Sequence, residues 1–143
     1  MKPVKTWFVI ADHQKVRFLE NDGLGHGLST VDIPCLTAHI QKKGDNQTGR
    51  VQDSTGDHRH KLETNDSNNI SLITNDLLEQ LYKSKERGLF DRVVICAAPR
   101  MLGDIRSKIA PQFKQFVYAE LDKNLVHTRL EDLPEHFKDF ILL

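Results

Sequence analysis

A continuous apolar run over residues 7–11, Trp-Phe-Val-Ile-Ala, is the feature that most restricts how this chain can fold. Such a run is typical of a β-strand that is covered on both faces of a sheet. Residues 15–20 follow a short polar turn, and they alternate Val16 and Phe18 with Arg17 and Leu19, as in a strand nearer the sheet edge. The two segments predict a hairpin in which Asp12 stands where the buried strand ends.

Three further segments complete the first half of the chain. Residues 29–36 predict a third strand, in which Pro34 favours an edge position or a bulge. Residues 42–68 are polar, and a loop of that length inside a compact domain is either functional or disordered. A helix is predicted over 69–87 with Gly88 as its stop, because one face is apolar at helical spacing: Ile70, Ile73, Leu77, Leu78, Leu81 and Tyr82.

Helices and strands alternate in the rest of the sequence. Residues 92–97 are almost wholly apolar and predict a central strand that is parallel to a neighbour. Pro99 suits the first turn of a helix over 99–110, and a fifth strand follows over 116–121. The last helix is expected to begin at Thr128, since Thr-Arg-Leu-Glu has the spacing of a capping box. Its predicted apolar side is Leu130, Leu133, Phe137, Phe140 and Ile141.

This order of elements predicts an α/β fold with one mixed five-stranded sheet. An antiparallel meander is extended by parallel strands through helical crossovers, which are right-handed in nearly all known cases. The order resembles the ribonuclease H-like arrangement, in which the first strand is central and lies parallel to the fourth. A chain of 143 residues has the ordinary size of one domain, so residues 1–143 are expected to form a single one.

Charge and cysteine content limit which binding partners and which cellular compartment are expected. The 20 Lys and Arg balance the 20 Asp and Glu, so contact with a polyanion would have to come from a local patch. Cys35 and Cys96 lie in apolar stretches and are expected to be reduced core residues. The first strand begins almost at once, and no run is long enough to span a bilayer. We therefore expect a cytoplasmic protein without membrane contact.

The carboxyl ends of the first and fourth strands form the predicted site. Parallel neighbours end at the same sheet edge, which would bring Asp12 and His13 close to residues 98–100. The helix that begins near Pro99 would present backbone N–H groups there, a place suited to an anion, with Arg100 as a further donor. The alternative is that Asp12 hydrogen-bonds within its own turn, while Arg100 pairs with it or with solvent.

An aspartate in that position also raises the alternative of a metal-dependent nuclease or phosphodiesterase. Two-metal chemistry needs several converging carboxylates, and the fourth strand ends in Ala97-Ala98 without one. Asp76, Glu79 and Asp122 could contribute an acid, or could be solvated helix and loop residues. His58 and His60 beside Asp57 form only a weak metal motif. We therefore expect no catalytic residue, no metal and no cofactor, and favour a binding protein over an enzyme.

Several separated segments carry a family resemblance: Trp7–Asp12 with Val16–Phe18, Asp45 with Gly49-Arg50 and Asp57–His60, Ala97–Gly103 with Ile105-Arg106, and Glu120–Leu125. They resemble the bacterial family named for attachment to host cells, which is related to release-factor-like domains. The resemblance implies a fold like the middle or carboxyl-terminal domains of release factors, and a contact with RNA or the ribosome. His13 and Thr48 stand where the family usually has glycine and proline, and the Gly-Gly-Gln tripeptide of peptide release is absent from the sequence.

Together these features predict a domain that binds RNA, the ribosome or a protein partner, or that forms a homodimer. Polar residues that the topology gathers at one end would form the contact. The candidate binding residues are Asp12, Arg17, Arg50, His58, Arg59, His60, Arg100 and Arg106.

Overall fold

Five strands form one mixed sheet in the order β3-β2-β1-β4-β5 in a computed structural model that describes residues 4–32, 58–139 and 141. Over residues 58–68 only the backbone is described. The strands are β1 (Thr6–Ala11), β2 (Val16–Asn21), β3 (Ser29–Thr30), β4 (Arg92–Ala97) and β5 (Val117–Leu121). β1 pairs antiparallel with β2 and parallel with β4, and β4 pairs parallel with β5. The predicted α/β fold with a mixed five-stranded sheet is confirmed; the ribonuclease H-like assignment stays a prediction.

In the part of the chain that the structure describes, three helices accompany the sheet: α1 (His58–Glu86), α2 (Pro99–Lys108) and α3 (Leu133–Phe137). A short 3-10 helix, Pro111–Phe116, precedes β5, and another, Leu130–Asp132, precedes α3. Gly88 ends the turn after α1 with a φ of 72°, a left-handed conformation that favours glycine, as the sequence predicted for a helix stop. No helix in the described part of the chain combines the length and apolar character that a membrane span requires.

The central strand β1 is buried at every residue because the sheet has a core on both faces. Trp7, Val9 and Ala11 point into a core shared with the apolar faces of α1 and α2. Phe8 and Ile10 point into a second core, which the segment from Leu125 to Ile141 covers with five buried side chains: Leu125, Val126, Leu133, Phe137 and Ile141. The continuous apolar run of β1 follows from this double burial, since no face of the strand meets water.

The first helix begins at His58 rather than at Asn69, so the predicted polar loop over 42–68 is wrong for residues 58–68. The physical reason is that helical periodicity appears in a sequence only where one helix face packs on a core. Its described core-facing side chains begin at Ile70, and no glycine or proline interrupts the chain between residues 58 and 86. Residues 42–57 lie outside the described residues.

The last helix also begins later than the sequence predicted. Thr128 does not start it, because its carbonyl accepts a hydrogen bond from Arg17 and its N–H donates to the carbonyl of Leu125, which builds a turn. The helix starts at Leu133, with Pro134 in its first turn, where a missing N–H costs nothing. Phe140 lies outside the described residues.

The remaining boundaries differ by small amounts. α2 ends at Lys108 rather than at residue 110, and β5 starts at Val117 after an unpredicted 3-10 helix. Within the described residues β3 spans only Ser29–Thr30, and positions 33–36 of the predicted third strand, including Cys35, lie outside them.

Strand β5, at the edge of the sheet, contains one irregularity. Val93 of β4 pairs with Val117, whereas the next residue, Val94, pairs with Ala119. Tyr118 is therefore an extra residue, as in a β-bulge. Tyr118 is 46% exposed, and the Arg92 guanidinium lies over its ring at 4.0 Å from the ring centroid.

Candidate functional site

The carboxyl ends of β1, β4 and β5 meet at a cavity of about 140 Å³. Parallel strands end at the same edge of a sheet, so the residues that follow them converge there. Asp12 and His13 come from the end of β1, and Arg100 from the first turn of α2. The described residues that line the cavity are Asp12, His13, Ile70, Ala98, Arg100, Met101 and Asn124.

Asp12 closes the turn between β1 and β2. Its side chain is only 6% exposed, and its Oδ1 accepts the backbone N–H groups of Gln14 and Lys15, both at 2.8 Å. The backbone N–H of Asp12 donates in turn to the carbonyl of Lys15 at 2.9 Å. This is the turn role that the sequence offered as the alternative to a ligand contact, and it occupies one of the two carboxylate oxygens.

The start of α2 makes this edge locally positive. Ala98 is the extended N-cap residue, Pro99 follows it, and no described side chain caps the helix. The first N–H groups of a helix lack intrahelical partners and carry a partial positive charge. The first intrahelical bond of this turn is donated by Leu102 to the carbonyl of Ala98 at 2.9 Å. Arg100, in the same turn, adds a positive charge to this side of the cavity.

Asn124 lines the cavity from the loop after β5, over residues 122–129, which we call the β5 exit loop. Sequence reasoning did not single it out. An amide side chain directly after the third parallel strand was the available signal, because that strand ends at the same edge. Its Oδ1 accepts the backbone N–H of Val126 at 3.2 Å.

Arg17 holds this exit loop and does not line the cavity. Its Nη1 donates to the carbonyl oxygens of Leu125, Val126 and Thr128 at 3.3, 3.1 and 2.6 Å. Partial burial lowers the pKa of the guanidinium from its ordinary value, which is so high that the group stays charged. In the structure the Arg17 guanidinium thus contacts another segment of the chain, whereas the sequence analysis predicted that Arg17 contacts a ligand.

A comparison with known protein families matches residues 7–137 to the family described as "Protein required for attachment to host cells". The chain belongs to this family. The match runs from β1 to the end of α3 and includes every described residue that lines the cavity of this host-attachment domain. The resemblance read from the sequence is confirmed at this level, while the relation to release factors stays a prediction. No curated protein matches the chain.

Arg106 of the host-attachment domain lies away from the cavity. Its Nε contacts Glu120 Oε1 at 2.5 Å in a half-exposed ion pair between α2 and β5. His58, Arg59 and His60 belong to the first turn of α1, and nothing beyond their helical backbone is described. Because Ile70 of α1 lines the cavity, that first turn lies about 18 Å further along the helix axis. Arg50 lies outside the described residues.

The described acids of the host-attachment domain do not converge. Asp12 is the single carboxylate among the described lining residues, and Asp76, Glu79 and Asp122 are not part of that wall. Within residues 4–32, 58–139 and 141, no group of three or more His, Cys, Asp or Glu side chains could hold a metal ion. The converging carboxylates that two-metal chemistry requires are therefore not found in this part of the chain.

Cys96 is buried in β4, and its Sγ donates to the carbonyl of Lys123 at 3.2 Å. Burial raises the pKa of this thiol to about 12. At about pH 8 its thiolate fraction is on the order of a thousandfold smaller than that of an ordinary thiol. The folded protein therefore keeps its proton on Cys96 over a pH range in which the unfolded chain has lost it.

We expect Cys96 to resist alkylation by iodoacetamide at about pH 8 in the folded protein and to react fully in urea, as mass spectrometry of the Cys96 peptide can show. Because the unfolded state releases the thiol proton first, the free energy of unfolding should fall as the pH rises from about 9 towards about 12, and Cys96→Ala should remove this contribution. Rapid labelling of folded protein would contradict the assignment.

Proposed function

We propose that this host-attachment domain is a cytoplasmic, non-enzymatic binding domain of a single unit, and that its cavity receives a phosphate group of RNA. The observation that carries the proposal is the cavity at the carboxyl edge of β1, β4 and β5, where residues from the start of α2 and from two loops converge. The resemblance to release-factor-like domains supports RNA as the class of ligand. Unlike two-metal catalysis, the binding of a phosphate group does not require further carboxylates beside Asp12.

The size of the cavity favours one small group of a larger ligand. Pockets that enclose whole small molecules usually measure about 300–1,000 Å³. The volume here is about 140 Å³, and a water molecule accounts for roughly 30 Å³ in the liquid. A phosphate group fits such a space, whereas a nucleotide would extend into solvent. An RNA strand can place one backbone phosphate in the cavity and leave its remaining parts outside.

The charges around the cavity favour an anion despite the neutral sequence. The start of α2 and Arg100, which carries a positive charge, lie on one side of the cavity. The Asp12 carboxylate already accepts two backbone N–H groups of its own turn, and these offset part of its negative charge. Because the formal net charge of the chain is zero, binding should depend on this local patch and should weaken with added salt.

Arg100→Ala is expected to weaken RNA binding about 5- to 10-fold, because the variant loses one charged phosphate donor. The slope of log affinity against log salt should become shallower by about one. Fluorescence anisotropy with a labelled RNA hairpin at several salt concentrations measures both quantities, and co-sedimentation with ribosomes should fall in parallel.

Arg87→Ala is the matched control for this experiment. Arg87 is exposed and follows the carboxyl end of α1, next to the start of β4, so it lies at the opposite edge of the sheet. The same loss of charge there should change RNA affinity less than twofold. Equal losses in both variants, or no RNA association of the unchanged protein, would overturn the proposal.

A further inference from the structure

We propose that Asn124 is a ligand-binding residue that donates a side-chain N–H to the anion in the cavity, and that Arg17 is the residue that positions it. This inference rests on the proposed function, since it names a further contact to the same phosphate group. It starts from the hydrogen bonds of the β5 exit loop.

The orientation of the Asn124 amide follows from its partner. The backbone N–H of Val126 can only donate, so the side-chain atom that faces it at 3.2 Å must be the amide oxygen. The amide NH2 group is therefore the end that remains for other contacts. Asn124 lines the cavity and is an exposed residue, so a ligand can reach it.

The loop that carries Asn124 is fastened on both sides of this residue. Before it, the carbonyl of Lys123 accepts the thiol of Cys96 at 3.2 Å. After it, Arg17 binds the carbonyls of Leu125, Val126 and Thr128, while the side chains of Leu125 and Val126 are buried in the second core. A donor held by such contacts loses little further freedom when a ligand binds, which favours affinity. Arg17 thus acts on the ligand through Asn124.

An amide at this position also determines the sign of the charge that the cavity accepts. With aspartate instead, the wall would carry a second carboxylate near Asp12, and oxygen pairs of that kind suit divalent cations. Asparagine keeps the same oxygen for Val126 but offers a donor on its other side. The choice of amide over acid matches a cavity that selects an anion.

Asn124→Asp is the most informative variant, because it preserves the oxygen that binds the Val126 N–H and replaces only the donor. We expect the variant to bind the RNA hairpin at least about tenfold more weakly, since a donor becomes a negative charge facing phosphate. Gln115→Glu is the matched control: it makes the same amide-to-acid change on the exposed 3-10 helix before β5, at the other edge of the sheet. Its RNA affinity should change less than twofold.

A nuclear magnetic resonance titration of the protein with inorganic phosphate, against sodium chloride of equal ionic strength, tests the contact directly. The side-chain NH2 signals of Asn124, assigned in the unchanged protein through their correlations with the backbone of the same residue, should shift with phosphate and not with chloride. In Arg17→Lys these signals should already be displaced without phosphate, and their response to it should be weaker.

The outcomes separate this inference from the proposed function. If RNA binding depends on Arg100 while phosphate leaves the Asn124 signals in place, the inference is overturned and the RNA-binding function stands. If phosphate shifts the Asn124 signals but the RNA hairpin does not bind, the contact is supported and RNA is the wrong ligand. If neither occurs, both fail. The titration of unchanged protein decides this even if Asn124→Asp does not fold.

Discussion

Phe137→Ala should lower the free energy of unfolding by about 3–5 kcal/mol, the range typical of a buried aromatic side chain replaced by alanine. Phe137 is fully buried, and its ring centroid lies 4.7 Å from that of Phe8 in the central strand. Helix α3 has only five residues and is too short to be stable by itself. Its position therefore depends on this packing, and loss of the ring should uncover the second core.

Urea denaturation measures this change, with Tyr118→Ala as an aromatic control. Because Tyr118 is 46% exposed, its replacement should cost about 1 kcal/mol or less. Equal losses in the two variants would show that α3 does not cover the sheet as described. If the slope of the unfolding free energy against urea concentration is the same in the variants and the unchanged protein, the variants differ in stability alone.

Arg17→Met is expected to have the second-largest effect, a loss of about 2–4 kcal/mol. Methionine keeps the apolar part of the side chain but removes the donor for three backbone carbonyls, and hydrogen bonds from a charged group contribute about 1.5–3 kcal/mol. The stability of Arg17→Lys should lie between those of the unchanged protein and Arg17→Met. Its ammonium group carries three donors, but on a side chain that is one atom shorter.

Arg129→Met provides the comparison for that measurement. Arg129 is 76% exposed and pairs with Glu131 on the surface, so its replacement should change stability by about 0.5 kcal/mol or less. Thermal and urea unfolding measure the stability of the three variants. If Arg17→Met lowered the free energy of unfolding no more than Arg129→Met does, the structural role of Arg17 would be contradicted.

Sequence patterns predicted the parts of this fold that depend on apolar burial. The runs at residues 7–11 and 92–97 identify β1 and β4, and the order of the elements predicted that these two strands lie parallel to each other. Gly88 marked the end of α1 for a similarly local reason, the need for a left-handed backbone. The convergence of Asp12 and Arg100 at one cavity then follows from topology.

Polar contacts between distant segments could not be predicted in the same way. Arg17 bonds to carbonyls more than 100 positions away in the chain, and no local pattern contains that information. The same contact explains why the capping-box spacing at Thr128 did not start a helix, since the Thr128 carbonyl serves a different partner. Asn124 was missed because its importance depends on where three strands end together.

The bulge at Tyr118 limits how this sheet can grow. An edge strand normally offers an even row of backbone donors and acceptors, to which a strand of another molecule can add. The extra residue interrupts that row within β5, and the ion pair of Glu120 with Arg106 adds charge beside it. Strands of other copies therefore cannot pair evenly along the whole of β5, which disfavours edge-to-edge aggregation on this side of the sheet.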